Sequence, residues 1–145
     1  MKHLIVTVFF SAALVGCSDG SESPFVRVSG VVTINGAPAP DVVVRFSPVP
    51  TGSSGLTGGM SRGYTDADGR FSLKSAVGQG RPGAVKGTHT VTFLGSGDIP
   101  IGEDQETGEP IYGGDLKFPT ELRREGLSCE VPSGGTDEAN FSLEL

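Results

Sequence analysis

Apolar and polar residues alternate along short stretches of the chain, and clusters of turn-forming residues separate these stretches. The first stretch, Phe25–Ile34, is rich in β-branched residues and ends at Asn35-Gly36, a dipeptide typical of tight hairpin turns. The most regular alternation reads Thr-His-Thr-Val-Thr-Phe-Leu, at Thr88–Leu94. In total the pattern predicts seven strands: Phe25–Ile34, Asp41–Pro48, Met60–Thr65, Phe71–Leu73, Thr88–Leu94, Gly126–Val131 and Ala139–Leu145.

Helical spacing of apolar residues is weak by comparison. Only Phe118–Leu127 shows some of it, and Pro119 interrupts that segment. The 145 residues include 23 Gly and 10 Pro, which are the two residue types least compatible with helices. Half-buried alternating strands separated by turns therefore predict an all-β fold, a seven-stranded antiparallel β-sandwich.

The first seventeen residues have the features of an export signal. Lys2 supplies a positive charge, and Leu4–Val15 is an apolar stretch that is too short for a bilayer-spanning helix, which needs about 20 residues. The following Leu14-Val15-Gly16-Cys17 resembles the lipobox of bacterial lipoproteins. This resemblance implies cleavage before Cys17 and attachment of diacylglycerol to its thiol. The alternative is an ordinary signal peptide with a chance cysteine.

These features divide the chain into three parts. Residues 1–16 are predicted to be a lipoprotein signal peptide, residues 17–24 a flexible polar tether and residues 25–145 a single folded domain. We therefore expect an exported protein of the cell envelope that lipid on Cys17 holds to a membrane. Two or more acyl chains give stable anchoring, because each buried CH₂ contributes about 0.8 kcal/mol.

The acidic balance of the chain restricts its partners. A formal net charge of −6 and an isoelectric point near 4.8 disfavour nucleic acid. The same charge predicts mild repulsion from anionic lipid headgroups, with the tether holding the domain away from them. If Cys17 carries lipid, Cys129 has no disulfide partner, and its alternation with Leu127 and Val131 predicts a small buried apolar residue.

Three blocks of the sequence resemble the carboxypeptidase regulatory-like (transthyretin-like) domain, in particular small lipoproteins of the planctomycete type. These blocks are Val28–Pro38, Asp41–Phe46 and Tyr64–Leu73. Thr65-Asp66-Ala67-Asp68-Gly69-Arg70-Phe71 is the most specific part, and Gly83–Phe93 is similar to a later turn and strand of that family. The resemblance covers about Val26–Leu145. It implies a prealbumin-like sandwich of seven strands with Greek-key connections. It implies no peptidase activity, because this is the accessory domain without the zinc enzyme.

Two acidic segments are candidate sites. One carries six carboxylates and no Lys or Arg: Asp98, Glu103, Asp104, Glu106, Glu109 and Asp115. Such a run binds a divalent cation or a basic partner, or it forms a solvated loop, and the interspersed Gly and Pro predict a loop. In the second segment, Asp66-Ala67-Asp68-Gly69, the remaining positions of an EF-hand loop are missing, so the spacing predicts a capped tight turn with Gly69 at positive φ.

The sequence shows no residues at catalytic or zinc-binding spacing, so we expect no enzyme, no cofactor and no metal site. His89, the only histidine after the signal peptide, lies within a predicted strand beside threonines, which indicates a satisfied or solvent-facing side chain rather than a general base. The predicted function is a lipid-anchored binding or interaction module with an envelope protein or glycan as partner. The alternatives are a structural spacer of the envelope and a small envelope hydrolase, and the oligomeric state stays open.

Overall fold

Strands dominate the computed structural model, which describes residues 25–50, 59–113 and 117–145. The helical elements in these ranges are a 3₁₀ turn at Ser96–Asp98 and a π-helical turn at Glu121–Glu125. The strands of the described residues are β1 (Phe25–Val26), β2 (Ser29–Ile34), β3 (Ala37–Pro38), β4 (Val42–Pro48), β5 (Ser61–Tyr64), β6 (Arg70–Ser72), β7 (Lys74–Ser75), β8 (Ala84–Val85), β9 (Gly87–Gly95), β10 (Pro100–Glu103), β11 (Pro110–Tyr112), β12 (Leu127–Val131) and β13 (Phe141–Leu143). The predicted all-β class is confirmed.

Five strands form an antiparallel sheet in the order β12-β9-β4-β5-β7. Its central strands β4 and β9 pair from Val42 opposite Gly95 to Pro48 opposite His89. Along β4, alternate residues from Val42 to Phe46 are completely buried, as the period-two pattern predicts, because successive side chains of a strand point to opposite faces. One face of this sheet packs on the core. On the opposite, outer face Val43, Thr92 and Leu94 are also buried, and the sheet meets solvent towards its β5 and β7 edge.

A second sheet is built around β2. Strands β3 and β6 pair with β2 in the antiparallel sense, whereas β13 pairs with it in parallel, with Phe141 opposite Val32. The expectation of a purely antiparallel fold is wrong at this pairing. The chain crosses between the sheets after β12 and meets β2 at its beginning, where Ser29 N–H donates to Thr136 O and Ala139 N–H donates to Ser29 O. The last strand therefore runs in the same direction as β2.

Four phenylalanine rings join the two sheets. Phe46 and Phe93 come from the five-stranded sheet, and Phe71 and Phe141 come from the second sheet. The Phe141 ring centroid lies 6.1 Å from that of Phe46 and 5.2 Å from that of Phe93, both in edge-on geometry. These contacts give the all-β chain a sandwich-like core, in which Phe118 also packs 6.3 Å from Phe93.

Two predicted turns are confirmed. Asn35 and Gly36 both have positive φ, 50° and 81°, and they connect β2 to β3 as a tight hairpin. In the turn before β6, Gly69 has φ 72°, and the Asp66 carboxylate accepts hydrogen bonds from the backbone N–H groups of Asp68 and Arg70. Asp66 thus caps a turn, as the spacing predicts.

Thirteen strands lie in the described ranges where seven were predicted; β3, β7 and β8 are short additions, and two differences are larger. The run Phe25–Ile34 is not one strand, because β1 pairs with β8 while Val28 forms a separate bridge to Thr136. The second difference is the acidic segment, which contains the hairpin β10–β11 where a loop was predicted. Part of the weak helical pattern at Phe118–Leu127 forms the π-helical turn, which Gly126 ends at φ 69°.

Candidate functional site

The acidic segment projects from the five-stranded sheet as a two-stranded hairpin. Strands β10 and β11 pair from Gly102 opposite Ile111 to Glu103 opposite Pro110. At the tip, Asp104 accepts hydrogen bonds from the N–H groups of Glu106 and Thr107 at 2.9 and 2.8 Å. These bonds lower the pKa of the Asp104 carboxyl, so the tip is anionic over the whole physiological range.

A buried carboxylate fixes the base of this hairpin. Asp98 is 2% exposed; its Oδ2 accepts the N–H of Gly95 at 2.6 Å and its Oδ1 accepts the N–H of Lys117 at 3.0 Å. The Nε atom of Arg123 lies 3.8 Å from the same Oδ1 and donates to Phe118 O. Asp98 therefore connects the end of β9 to the segment that returns after the hairpin, and we call this arrangement the Asp98 clamp.

Apolar side chains flank the acidic tip. Ile101 is 72% exposed, Ile111 is 46% exposed and Ile99 is 42% exposed. Three of the eight large hydrophobic residues that are exposed in the described ranges thus lie on this hairpin or at its base. The hairpin therefore combines an apolar shaft with a carboxylate tip that carries Glu103, Asp104, Glu106 and Glu109.

The structure separates the six acidic residues that the sequence groups together. Asp98 is buried in the clamp and is neutralised by Arg123, so it does not belong to a solvated acidic surface. Glu103, Glu106 and Glu109 are exposed around the tip, and Asp104 is used to cap it. Asp115 and the predicted lipidation site Cys17 lie outside the described residues.

His89 occupies an unusual place in the core. It is 1% exposed, packs 5.6 Å from the Phe46 ring, and donates from Nδ1 to Gly87 O at 3.0 Å, while its Nε2 has no partner. Burial lowers its pKa, against the opposing effects of the Gly87 carbonyl and of Glu130. The solvent-facing alternative is therefore wrong, and the satisfied one holds for Nδ1 but not for Nε2. The buried Nε2 cannot reach a substrate from outside the domain, which argues against a general base.

Cys129 lies opposite His89 on β12. It is half-buried and packs against the core, close to the predicted small apolar role. Burial and the neighbouring Glu130 raise the pKa of its thiol. A protonated thiol is a poor nucleophile, so this cysteine is not an activated one.

No group of three or more His, Cys, Asp and Glu side chains in residues 25–50, 59–113 and 117–145 is arranged to hold a metal ion. The same ranges contain no helix with the length and apolar character needed to cross a bilayer.

No protein-family model, no curated protein and no solved structure matches the chain.

Sequence reasoning missed two partners of the site. Arg123 and Lys117 complete the Asp98 clamp from positions far along the chain. The only sequence signal for them is that Asp98 is followed, after the acidic run, by Lys117 and then Arg123-Arg124 at the weakly helical segment. This order in the sequence does not predict the ion pair, because the path of the chain after the hairpin decides which basic side chain lies near Asp98.

Mutation of Asp98 is expected to lower the stability of the fold and to loosen the hairpin. Asp98→Ala leaves the N–H groups of Gly95 and Lys117 without an acceptor, so we expect the free energy of unfolding to fall by about 2–4 kcal/mol. Amide hydrogen exchange at the tip should also become faster, because the hairpin loses its fixed base. Urea unfolding and exchange measured by NMR test both effects. Asp104→Ala is the control: it should speed exchange at the tip and leave global stability unchanged, and equal destabilisation by both variants would contradict the clamp.

The buried histidine predicts a pH dependence of stability. The folded-state pKa of His89 is lowered from its ordinary value of 6.5, so the unfolded chain binds the proton more readily. Stability should therefore decrease as the pH falls below 6.5, until the pH passes the folded-state pKa. Urea unfolding between about pH 7.5 and pH 5 measures this slope. His89→Leu should remove most of it, and an identical slope in the variant would show that His89 is not its source.

Proposed function

We propose that the chain is a lipid-anchored, non-catalytic module of the cell envelope that presents the β10–β11 hairpin to an envelope partner. The observation that carries this proposal is the hairpin itself, in which exposed isoleucines flank an ordered carboxylate tip above a buried clamp. A mobile, solvated loop would not need a buried clamp to fix its two ends. A preformed arm loses less conformational entropy on binding than a loop that must first become ordered.

The position of the hairpin is compatible with an anchor at the other end of the domain. Phe25, the first described residue, lies on β1, and β1 pairs with β8 immediately before β9 begins at Gly87. The hairpin follows Gly95, where β9 ends. Nine residues of β9, about 26 Å at 3.3 Å per residue, separate the two ends. Attachment through residues 17–24 therefore leaves the hairpin accessible.

The chemistry of the hairpin favours a protein partner over a neutral glycan. Its exposed side chains include isoleucines and carboxylates, and its one aromatic residue, Tyr112, is half-buried. Aromatic platforms are the usual surfaces for sugar rings, and the chain contains no Trp. The complementary surface is an apolar groove bordered by Lys or Arg. Such a contact also explains how an acidic domain finds its partner, because opposite charge speeds the encounter.

We further propose that the domain is a carboxypeptidase regulatory-like domain with the prealbumin-like, seven-stranded Greek-key sandwich. The support is the Thr65–Phe71 block, whose aspartate-capped turn carries Gly69 at positive φ between β5 and β6. The parallel pairing of β13 with β2 and the β10–β11 hairpin depart from that expectation. The hairpin is therefore a feature of this chain, and its role is not inherited from the resemblance.

Two sets of variants test the proposal in cells of a lipoprotein-processing bacterium. Wild-type protein should incorporate labelled palmitate and sediment with membranes, because Cys17 carries the lipid. Cys17→Ser should abolish the label, whereas Cys129→Ser is the matched control that keeps it. Label on the Cys17→Ser variant, or none on the wild type, contradicts the anchor.

The hairpin is tested separately by cross-linking and affinity capture from the same membranes. Changing Glu103, Glu106 and Glu109 to Gln should remove the captured partner, because it removes the charge of the tip without disturbing the clamp. The matched control changes Glu125, Glu138 and Glu144 to Gln, which are exposed elsewhere and alter the net charge equally. If both variants capture the same proteins as wild type, the hairpin is not the binding site and a structural spacer is the better description.

A further inference from the structure

Three cationic side chains form a row across one face of the five-stranded sheet. Arg45 on β4 lies directly opposite Arg62 on β5, and Arg62 lies directly opposite Lys74 on β7. Each stands between two buried neighbours in its strand, so all three point to the outer face, away from the core. We call this set the cationic row.

The cationic row has no carboxylate partners in the part of the chain that the structure describes. The ion pair found there is the one between Arg123 and Asp98. Like charges directly opposite each other on neighbouring strands destabilise a sheet. Three such residues side by side therefore do not stabilise the sheet. In a chain with net charge −6 they indicate an anion-binding surface.

Further groups on the same face extend this surface. Tyr64 is 60% exposed, and the Arg62 guanidinium carbon lies 5.9 Å from the centre of its ring. Arg62, Tyr64 and Lys74 border one cleft. Cations and an amphipathic ring are groups that contact lipid headgroups at a membrane surface.

The proposed tether enters the domain beside this row. Phe25 borders a cleft with Ser75, Val77 and Arg81, and Ser75 also borders the cleft that contains Lys74. Residues 17–24 span at most about 28 Å when fully extended, so the membrane surface lies within that distance of Phe25. Neighbouring strands are separated by about 4.8 Å, which places Arg45 only about 10 Å from Lys74. The whole row is therefore within reach of the membrane.

We propose that the outer face of the five-stranded sheet docks onto the anionic phospholipid headgroups of the membrane that carries the anchor, with the cationic row binding their phosphates. This inference rests on the lipid anchor proposed above. Each Lys or Arg near an anionic surface raises the affinity roughly fivefold, so the row contributes on the order of a hundredfold. The net negative charge of the domain does not oppose this, because charges beyond a Debye length of about 8 Å are screened.

The carboxylates nearest to the row do not neutralise it. Glu130 on β12 shares the outer face, but it accepts a hydrogen bond from Thr88 at the far end of β9. Asp66 and Asp68 lie in the turn beyond β5, where Asp66 is occupied by backbone N–H groups. Tyr64 is exposed beside Arg62 on this face, so its exposure to solvent reports whether the face is docked.

Tyrosine fluorescence measures this docking in the full lipidated chain. The protein contains two Tyr and no Trp, so Tyr112→Phe leaves Tyr64 as the single emitter. The chain is incorporated into vesicles of phosphatidylcholine, with or without roughly 30 mol% phosphatidylglycerol. We expect the acrylamide quenching constant of Tyr64 to be at least about threefold lower on the anionic vesicles, and the difference to vanish in about 0.5 M NaCl.

Charge-matched variants identify the cations that matter. Changing Arg45, Arg62 and Lys74 to Gln should abolish the difference between the two kinds of vesicle. Changing Arg70, Lys86 and Arg124 to Gln should preserve it, because these exposed cations lie on elements other than β4, β5 and β7. If both triple variants lose the difference, or neither does, the row is not the docking surface.

The remaining outcomes separate the two proposals. A chain that floats with both kinds of vesicle but shows equal quenching of Tyr64 overturns the docking and leaves the anchor intact. A chain that floats with anionic vesicles only supports the docking and overturns the anchor, and one that floats with neither overturns both. Protection of Tyr64 on phosphatidylcholine by inorganic phosphate at the same phosphate concentration would assign the row to a free anion and contradict membrane docking.

Discussion

The packing of four phenylalanine rings between two sheets is the interaction on which the rest of this structure depends. Phe46 and Phe93 from one sheet meet Phe71 and Phe141 from the other, and truncation of a buried Phe to Ala typically costs about 3–5 kcal/mol. This contact holds the last strand, β13, against the five-stranded sheet. It thereby sets which face of that sheet packs on the core.

Strand β9 connects this core to the first described residues at one end and to the hairpin at the other. Its inward residues include Phe93 and the buried His89, its beginning lies near the first described residues, and its end leads into the Asp98 clamp and the hairpin. The two surfaces on which the proposals rest differ in charge. The hairpin tip is anionic, and the outer face of the five-stranded sheet carries three cations without a carboxylate partner among the described residues, although the net charge suggests only an acidic protein.

The features that sequence predicted are local ones. Period-two alternation located the core of β4 and β9, and Asn35-Gly36 and Asp66–Gly69 identified turns, because short-range backbone geometry decides these elements. The β10–β11 hairpin was missed since its strands expose both faces, so no apolar alternation marks them. Three other features depend on pairings between distant segments, which cannot be predicted from a single sequence. They are the parallel pairing of β13 with β2, the ion pair of Arg123 with Asp98, and the register of Arg45 with Arg62 and Lys74.

The proposed function requires that the acidic segment is a preformed arm before any partner is bound. NMR of the isolated protein tests it most directly, through nuclear Overhauser contacts between the backbone protons of Gly102 and Ile111. We expect these cross-strand contacts together with slowed amide exchange at Asp104 and Gly108, whose N–H groups donate to Glu109 O and Asp104 O. Absent contacts with random-coil shifts across Pro100–Tyr112 would contradict it.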